Sequence, residues 1–350
     1  MKSFSLAELK SQQTNGLLEV ADAITLIEAG LPLSIAGPES AMDMLPSGNW
    51  IGGTTPYFMT VDGGRVITEG QVFVTDLSRI GSVRVATYDA NRLADISGNG
   101  PEHGFSLAII PAGSACHEQF AHDAADYPQA FLRPTVGWIA GVDLADAAAS
   151  AKVYDGTGPT KHTDQAVVAH ISQPEDALLS IEIVNPFTPG DGDVLRFEET
   201  DFAPTHCIVG GQPTNFAAYL VEHGMDDGTL PLIGDFAGAP INVSIKSVDR
   251  QTQAVTLYAP VFPGVDYRFA APLADYAATF REKLADHSFE GAMWSCNCIL
   301  NFLYGALEGK AIGGIAGPVT FGEIAYQLLN QTMVLVRQNT PDACTGGEGQ

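Results

Sequence analysis

Cationic side chains are scarce in this chain: 17 Lys and Arg stand against 41 Asp and Glu in 350 residues, a formal net charge of −24. So negative a long-range field repels phosphate backbones and anionic headgroups, which makes nucleic acid and membrane surfaces poor partners. The plain reading of the acidity is solubility or a salty habitat. Cysteine is sparse too, and the five, Cys116, Cys207, Cys296, Cys298 and Cys344, are odd in number and scattered. That argues against a disulfide framework and fits a reducing compartment. No apolar run reaches the roughly 18 to 20 residues of a membrane-spanning helix. Met1-Lys2-Ser3-Phe4 lacks the apolar core of a signal peptide. The expectation is a cytoplasmic protein.

Standard catalytic and nucleotide-binding signatures are absent. There is no Walker lysine, no G-x-G-x-x-G after a strand, no G-x-S-x-G and no H-E-x-x-H. His117 and His122 are five apart, off the i, i+4 spacing that puts two ligands on one helical face, so zinc is not expected. Haem iron needs one histidine, and His103, His117 and His170 stay open for that role, although a surface histidine is the commoner case. Cys296 and Cys298 are the candidates for a nucleophile acting on a small organic substrate. Nothing near them marks an activated thiolate, and buried thiols often serve as small hydrophobes.

What is present is apolar material, 45% of the chain, ample for a large core. Apolar periodicity predicts helices over 18–28, 39–44, 117–127, 215–223 and 274–285, the last with Tyr276, Phe280 and Leu284 on one face. Strands are predicted over 33–36, 49–55, 66–77, 83–88, 105–110, 135–141, 151–154, 166–171, 179–184 and 193–197, with a hairpin of 240–248 and 254–258. The order helix, glycine-bearing strand, strand, strand recurs near 39–77, 117–171 and 274–337, a weak internal repeat. Ser172-Gln173-Pro174-Glu175-Asp176 is rich in turn formers and reads as the main hinge. The expected fold is α/β: two related lobes of mixed or antiparallel β-sheet flanked by helices. An arm and helix would occupy 1–29, the lobes 30–172 and 179–337, and a disordered-looking tail 338–350.

Candidate site residues gather in 293–336, where polar groups stand at the ends of apolar elements. Glu323 follows Phe321-Gly322 in an apolar neighbourhood, where a carboxylate is costly without a partner. A ligand is one such partner; a helix beginning at Ile324 or an ion pair with Arg337 are the plain ones. Asn330 and Thr332 can donate and accept at the same place, though both are also routine turn formers. Gly52-Gly53-Thr54-Thr55 reads as a turn whose bare N–H groups and hydroxyls suit a carboxylate or phosphate, or as a glycine-permitted bulge where lobes touch. With Trp138, Cys296, Asn297, Asn301, Phe321 and Gly322, these residues are expected to line one small-molecule pocket between the lobes.

The order of these motifs resembles the FIST (F-box and intracellular signal transduction) family over roughly residues 30–337. Gly52-Gly53-Thr54-Thr55 is similar to its I-G-C-S-T turn and Val136-Gly137-Trp138-Ile139-Ala140-Gly141 to its V-x-G-G-x-A-G strand end. Trp294-Ser295-Cys296-Asn297 is similar to its F-S-C, Thr320-Phe321-Gly322-Glu323-Ile324 to its Y-G-E-I, and Asn330-Gln331-Thr332 to its H-N-x-T. Leu329 stands where the family usually has His, and its Arg shortly after the cysteine is missing here. The resemblance implies a sensory ligand-binding module coupled to a signalling protein partner, with no established catalysis and, in some members, haem. It names no cofactor for this chain.

Overall fold

The computed structural model describes residues 15–339 except Pro159, Ala237, Gly314 and Ile315. Most of the expected arm and of the expected tail therefore lies outside the described residues. Part of the arm does not: Asn15–Glu19 is a strand, followed at once by the helix Val20–Glu28. The fold is mixed α/β, with several mixed and antiparallel sheets and a few helices, the class that periodicity predicts. Among the described residues no helix is long and apolar enough to cross a membrane.

One pattern builds most of the chain three times. A strand leads through a helix to a parallel strand, then a hairpin, then a strand that returns antiparallel to the first. In the first unit Leu33–Gly37 and Trp50–Thr54 are the parallel pair, Tyr57–Thr60 and Gly63–Val66 the hairpin, and Gln71–Asp76 the return. In the second these are Gly104–Pro111 with Thr135–Ala140, Val153–Asp155 with Thr160–His162, and Ala166–Ser172. In the third they are Ala292–Cys298 with Gly317–Thr320, Glu323–Ala325 with Gln327–Leu329, and Met333–Asn339. An outer strand, Asn15–Glu19, Ser82–Tyr88 or Leu178–Val184, pairs with each return strand.

The hairpins tie the units together, because each pairs with another unit's sheet. The first unit's hairpin lies on Gly317–Thr320, the second's on Trp50–Thr54 and the third's on Thr135–Ala140. Three six-stranded sheets result, each completed by a neighbour. These three interlocked units, rather than two halves divided at 172–178, organise the molecule. The sheets' inner faces share one core containing Phe58, Phe73, Leu107, Trp138, Trp294 and Val334. Strands covered on both faces read as continuous apolar runs, as in Gly104–Pro111 and Ala166–Ser172. Helices cover the outer faces: Val20–Glu28 packs on the first sheet, Ala115–Asp123 on the second, Tyr276–Ala285 and Ile299–Tyr304 on the third.

Residues 185–275 interrupt the third unit with a fourth sheet and a two-stranded ribbon around a separate core of Phe197, Phe216, Leu232 and Tyr267. The hairpin predicted over 240–248 and 254–258 is corrected here. Ala239–Val243 pairs with Leu232–Phe236, and only Ile245–Asp249 pairs with Ala254–Leu257. Ser244, fully buried between them, sends its hydroxyl to Gln331 Oε1 at 2.7 Å instead of continuing one strand.

Candidate functional site

The carboxyl ends of the three parallel pairs meet. Gly141 N–H donates to Thr54 O at 2.7 Å, Phe321 N–H to Ile139 O at 3.0 Å, and Thr55 Oγ1 to Val319 O at 2.7 Å, so each unit is bonded to the next. Ligands of open α/β sheets bind outside the carboxyl ends of strands, so this junction is the place to look. Every predicted site residue lies at or just below it, but the structure divides them between a closed cluster and an open cleft.

Glu323 is the centre of the closed cluster and is fully buried. Its Oε2 accepts the Thr332 hydroxyl at 2.8 Å and the Thr332 N–H at 3.2 Å; Thr320 Oγ1 lies 3.4 Å from Oε1, and the Cys298 thiol also bonds the carboxyl. Neither plain alternative holds: Ile324 is in a strand, and Arg337 pairs with Glu182 at 2.7 Å. Burial pushes the Glu323 pKa up to about 8, against the bonds from Thr332, Cys298 and Thr320. At neutral pH the group is mainly a neutral acid. Burial, and next the nearby Glu323, also raise the Cys296 and Cys298 thiols well above their ordinary value, the opposite of an activated nucleophile.

The same cluster absorbs the asparagines. Asn301 Nδ2 donates to Asn297 Oδ1 at 2.8 Å and to Thr332 O at 3.0 Å, while its Oδ1 accepts the Tyr276 hydroxyl at 2.6 Å. Gln331 continues the chain to Tyr276, to Thr229 O and to Ser244, and Asn330 O accepts Asn242 Nδ2 at 3.2 Å. These residues bind the third unit to the inserted fourth sheet. Glu323, Asn297, Asn301, Asn330 and Thr332 are buried and each bonds other protein groups, while Asn297 Nδ2 and Asn330 Oδ1 are left without a partner among the described residues.

Gly52 and Gly53 are also reassigned: they lie inside the strand Trp50–Thr54 and form no turn. The N–H groups of Thr54 and Thr55 are taken by Lys152 O and Gly37 O, so no bare donors remain there for an anion. Gly53 is needed for packing, since a Cβ would stand 2.8 Å from the Trp138 ring. Gly141 is needed for the same reason, with Phe321 filling the space where its Cβ would be. Trp138, Phe321, Gly322 and Cys296 thus belong to the junction's packing. His170 is committed as well, Nδ1 lying 2.8 Å from Ser106 Oγ and Nε2 2.8 Å from the Tyr88 hydroxyl. Burial pushes its pKa down to about 4, so it is neutral.

Thr54 and Thr55 reach the open part, a cleft of about 190 Å³ between the first and second units. Pro38, Pro56, Gly141 and Val142 form apolar wall, with the Ser40, Thr68 and Ser150 side chains and the carboxylates of Glu39, Asp143 and Asp146 around them. Burial favours the neutral form of Glu39, but hydrogen bonds from Lys152 and Lys161, each at 2.7 Å, outweigh it and hold the pKa below its ordinary value. Sequence reasoning missed Ser40, Asp143, Thr320 and Tyr57 as site residues. Thr320 and Tyr57 had a visible signal, the first opening the Thr-Phe-Gly-Glu-Ile motif and the second lying two residues beyond Gly-Gly-Thr-Thr.

Three mixed sheets interlocked by exchanged hairpins, with a small cleft at the carboxyl ends of their parallel strands, define the class of this protein. Residues 18–339 match a family of unknown function, DUF6976, and the chain belongs to that family. No curated protein matches it.

Proposed function

We propose that the protein binds a small neutral or cationic organic molecule in the cleft beside Thr54, Thr55 and Gly141. It does so as a cytoplasmic sensory module whose occupancy a protein partner reads. The observation that carries the ligand is the meeting of three sets of strand carboxyl ends, of which one leaves space open to solvent. The volume lies below the roughly 300 to 1,000 Å³ of sites for drug-sized molecules, which favours a compact metabolite. Carboxylates near the opening and the net charge of −24 disfavour an anion. The sensory and signalling part rests on the resemblance to FIST proteins.

The test is a thermal-shift and native mass-spectrometry screen of small amines, polyols and carboxylic acids against the whole chain. Binders should be lost in Ser40→Trp, which fills the cleft, and kept in Glu323→Gln. Binders lost only in a folded Glu323→Gln protein would move the site to the closed cluster and sink the cleft reading.

A further inference from the structure

The three units differ in one connection. Between the parallel strand and the hairpin, the first unit has residues 55–56 and the third 321–322, but the second has 141–152. The extra residues lie beside the cleft, where Val142, Asp143, Asp146, Ala149 and Ser150 form one wall. Loops this long without regular structure are uncommon inside compact domains unless they serve a site.

Both ends of this connection are fastened to one residue. Thr54 O accepts Gly141 N–H and Thr54 Oγ1 donates to Gly141 O at 2.7 Å; Thr54 N–H donates to Lys152 O and its Oγ1 accepts Lys152 N–H, both at 2.9 Å. Between these ends the loop turns on itself: Asp146 N–H donates to Asp143 O and Ala149 N–H to Asp146 O. Among the described residues two hydrogen-bonded tethers hold it to the body: Lys152 Nζ, bonded to Glu39 at 2.7 Å, donates to Ser150 O at 3.0 Å near one end, and at the other the Tyr57 hydroxyl accepts Leu144 N–H at 3.1 Å and lies 3.4 Å from Asp143 Oδ1. The Tyr57 ring stacks obliquely on Phe302 and belongs to a different sheet from the loop's ends. Leu144, at the Tyr57 tether, is 49% exposed.

We infer that residues 143–150 are a strap along the wall of the cleft, hinged at both ends on Thr54 and latched by the Tyr57 hydroxyl, and that this strap holds the ligand once it has entered from the open side. Tyr57 is a positioning residue and not a contact to the ligand. The inference rests on the cleft reading of the preceding subsection.

Hydrogen exchange of the whole chain, wild type against Tyr57→Phe, tests it, because phenylalanine keeps the ring packing and loses the latch. Losing the bond to Leu144 N–H and the long contact to the Asp143 carboxylate should speed exchange about tenfold. The acceleration should reach the Leu144, Asp146 and Ala149 amides together and leave Thr135–Ala140 and Val153–Asp155 unchanged. A change confined to the Leu144 amide, or none, would overturn the strap, since a strap moves as one body. Phenethylammonium is the binding probe, scored by thermal shift with Ser40→Trp as control. If it binds and protects 144–149 in the wild type but less in Tyr57→Phe, strap and site both stand. Binding with loop exchange unaltered overturns the strap and leaves the site. Cooperative acceleration without binding of any screened compound keeps the strap and removes the ligand reading.

Discussion

Two regions of this molecule occupy comparable positions, each at the carboxyl ends of a parallel strand pair, and they have opposite chemistry. Around Glu323 the position is filled largely by the protein's own hydroxyls, thiols and amides, with a cavity of only about 10 Å³ beside Cys296 and Asn297. Beside Thr54 it stays open, with Thr54 and Thr55 bonded to backbone at the floor and side chains of Glu39, Ser40 and Asp143 around it. The difference follows from the insertions. The inserted sheet buries the third unit's end through Gln331 and Asn330, whereas the second unit's long connection only borders the first unit's cleft. A buried carboxyl is therefore not by itself a mark of a binding site. Here it sits where the units are sewn together.

The sharpest way to break the comparison is pH. The folded-state pKa of Glu323 is raised to about 8 from an ordinary 4.5, so the native protein keeps a proton that the unfolded chain gives up across that window. Its contribution to stability is complete below pH 4.5, falls as pH rises, and is lost once pH has passed about 8. Glu323→Gln should abolish this, gaining on the wild type by up to about 1.4 kcal/mol per pH unit between those limits. Urea unfolding at pH 5 to 9 measures it, and parallel pH profiles for the two proteins would show that the carboxyl is not enclosed.

Gly141→Ala comes next. The new Cβ would stand 1.9 Å from the edge of the Phe321 ring, and overpacking of this kind costs about 3 kcal/mol, read from the urea midpoint. Little change would mean that the junction gives way easily. Thr332→Val removes the hydroxyl donor to Glu323 and should cost about 1 to 2 kcal/mol. In the Glu323→Gln background its cost should change, and a double-mutant cycle showing strict additivity would deny the coupling. The smallest effect belongs to the cleft. Ser40→Trp should alter stability by no more than about 0.5 kcal/mol while removing ligand binding, because Ser40 is exposed at a solvent-facing opening. A large loss of stability there would make the cleft structural, like the cluster.

Much of the fold was legible in residue order. Apolar runs and turn residues marked most strands, the Tyr276, Phe280, Leu284 stripe marked its helix, and the three recurrences of helix, glycine strand and strands coincide with the three units. Ser114, Asn215 and Asp275 cap the helices that follow them, each local signal agreeing with its element. The candidate site was legible only in outline. The sequence places Gly53, Trp138, Phe321, Glu323 and Thr332 at element ends, and those ends do meet. It carries no sign of which end is filled, because the filling groups, Gln331, Ser244, Tyr276 and Asn301, are brought together across up to 87 positions.

Composition and periodicity alone determined the acidic surface, the α/β class and the polar groups at strand ends, since charge is additive and apolar repeats report local geometry. The exchange of hairpins, the neutral acid at Glu323 and the open cleft were decided by tertiary structure. Each depends on which distant segments exclude water from a given group, and burial is a property of the assembled sheets that no neighbouring residue encodes.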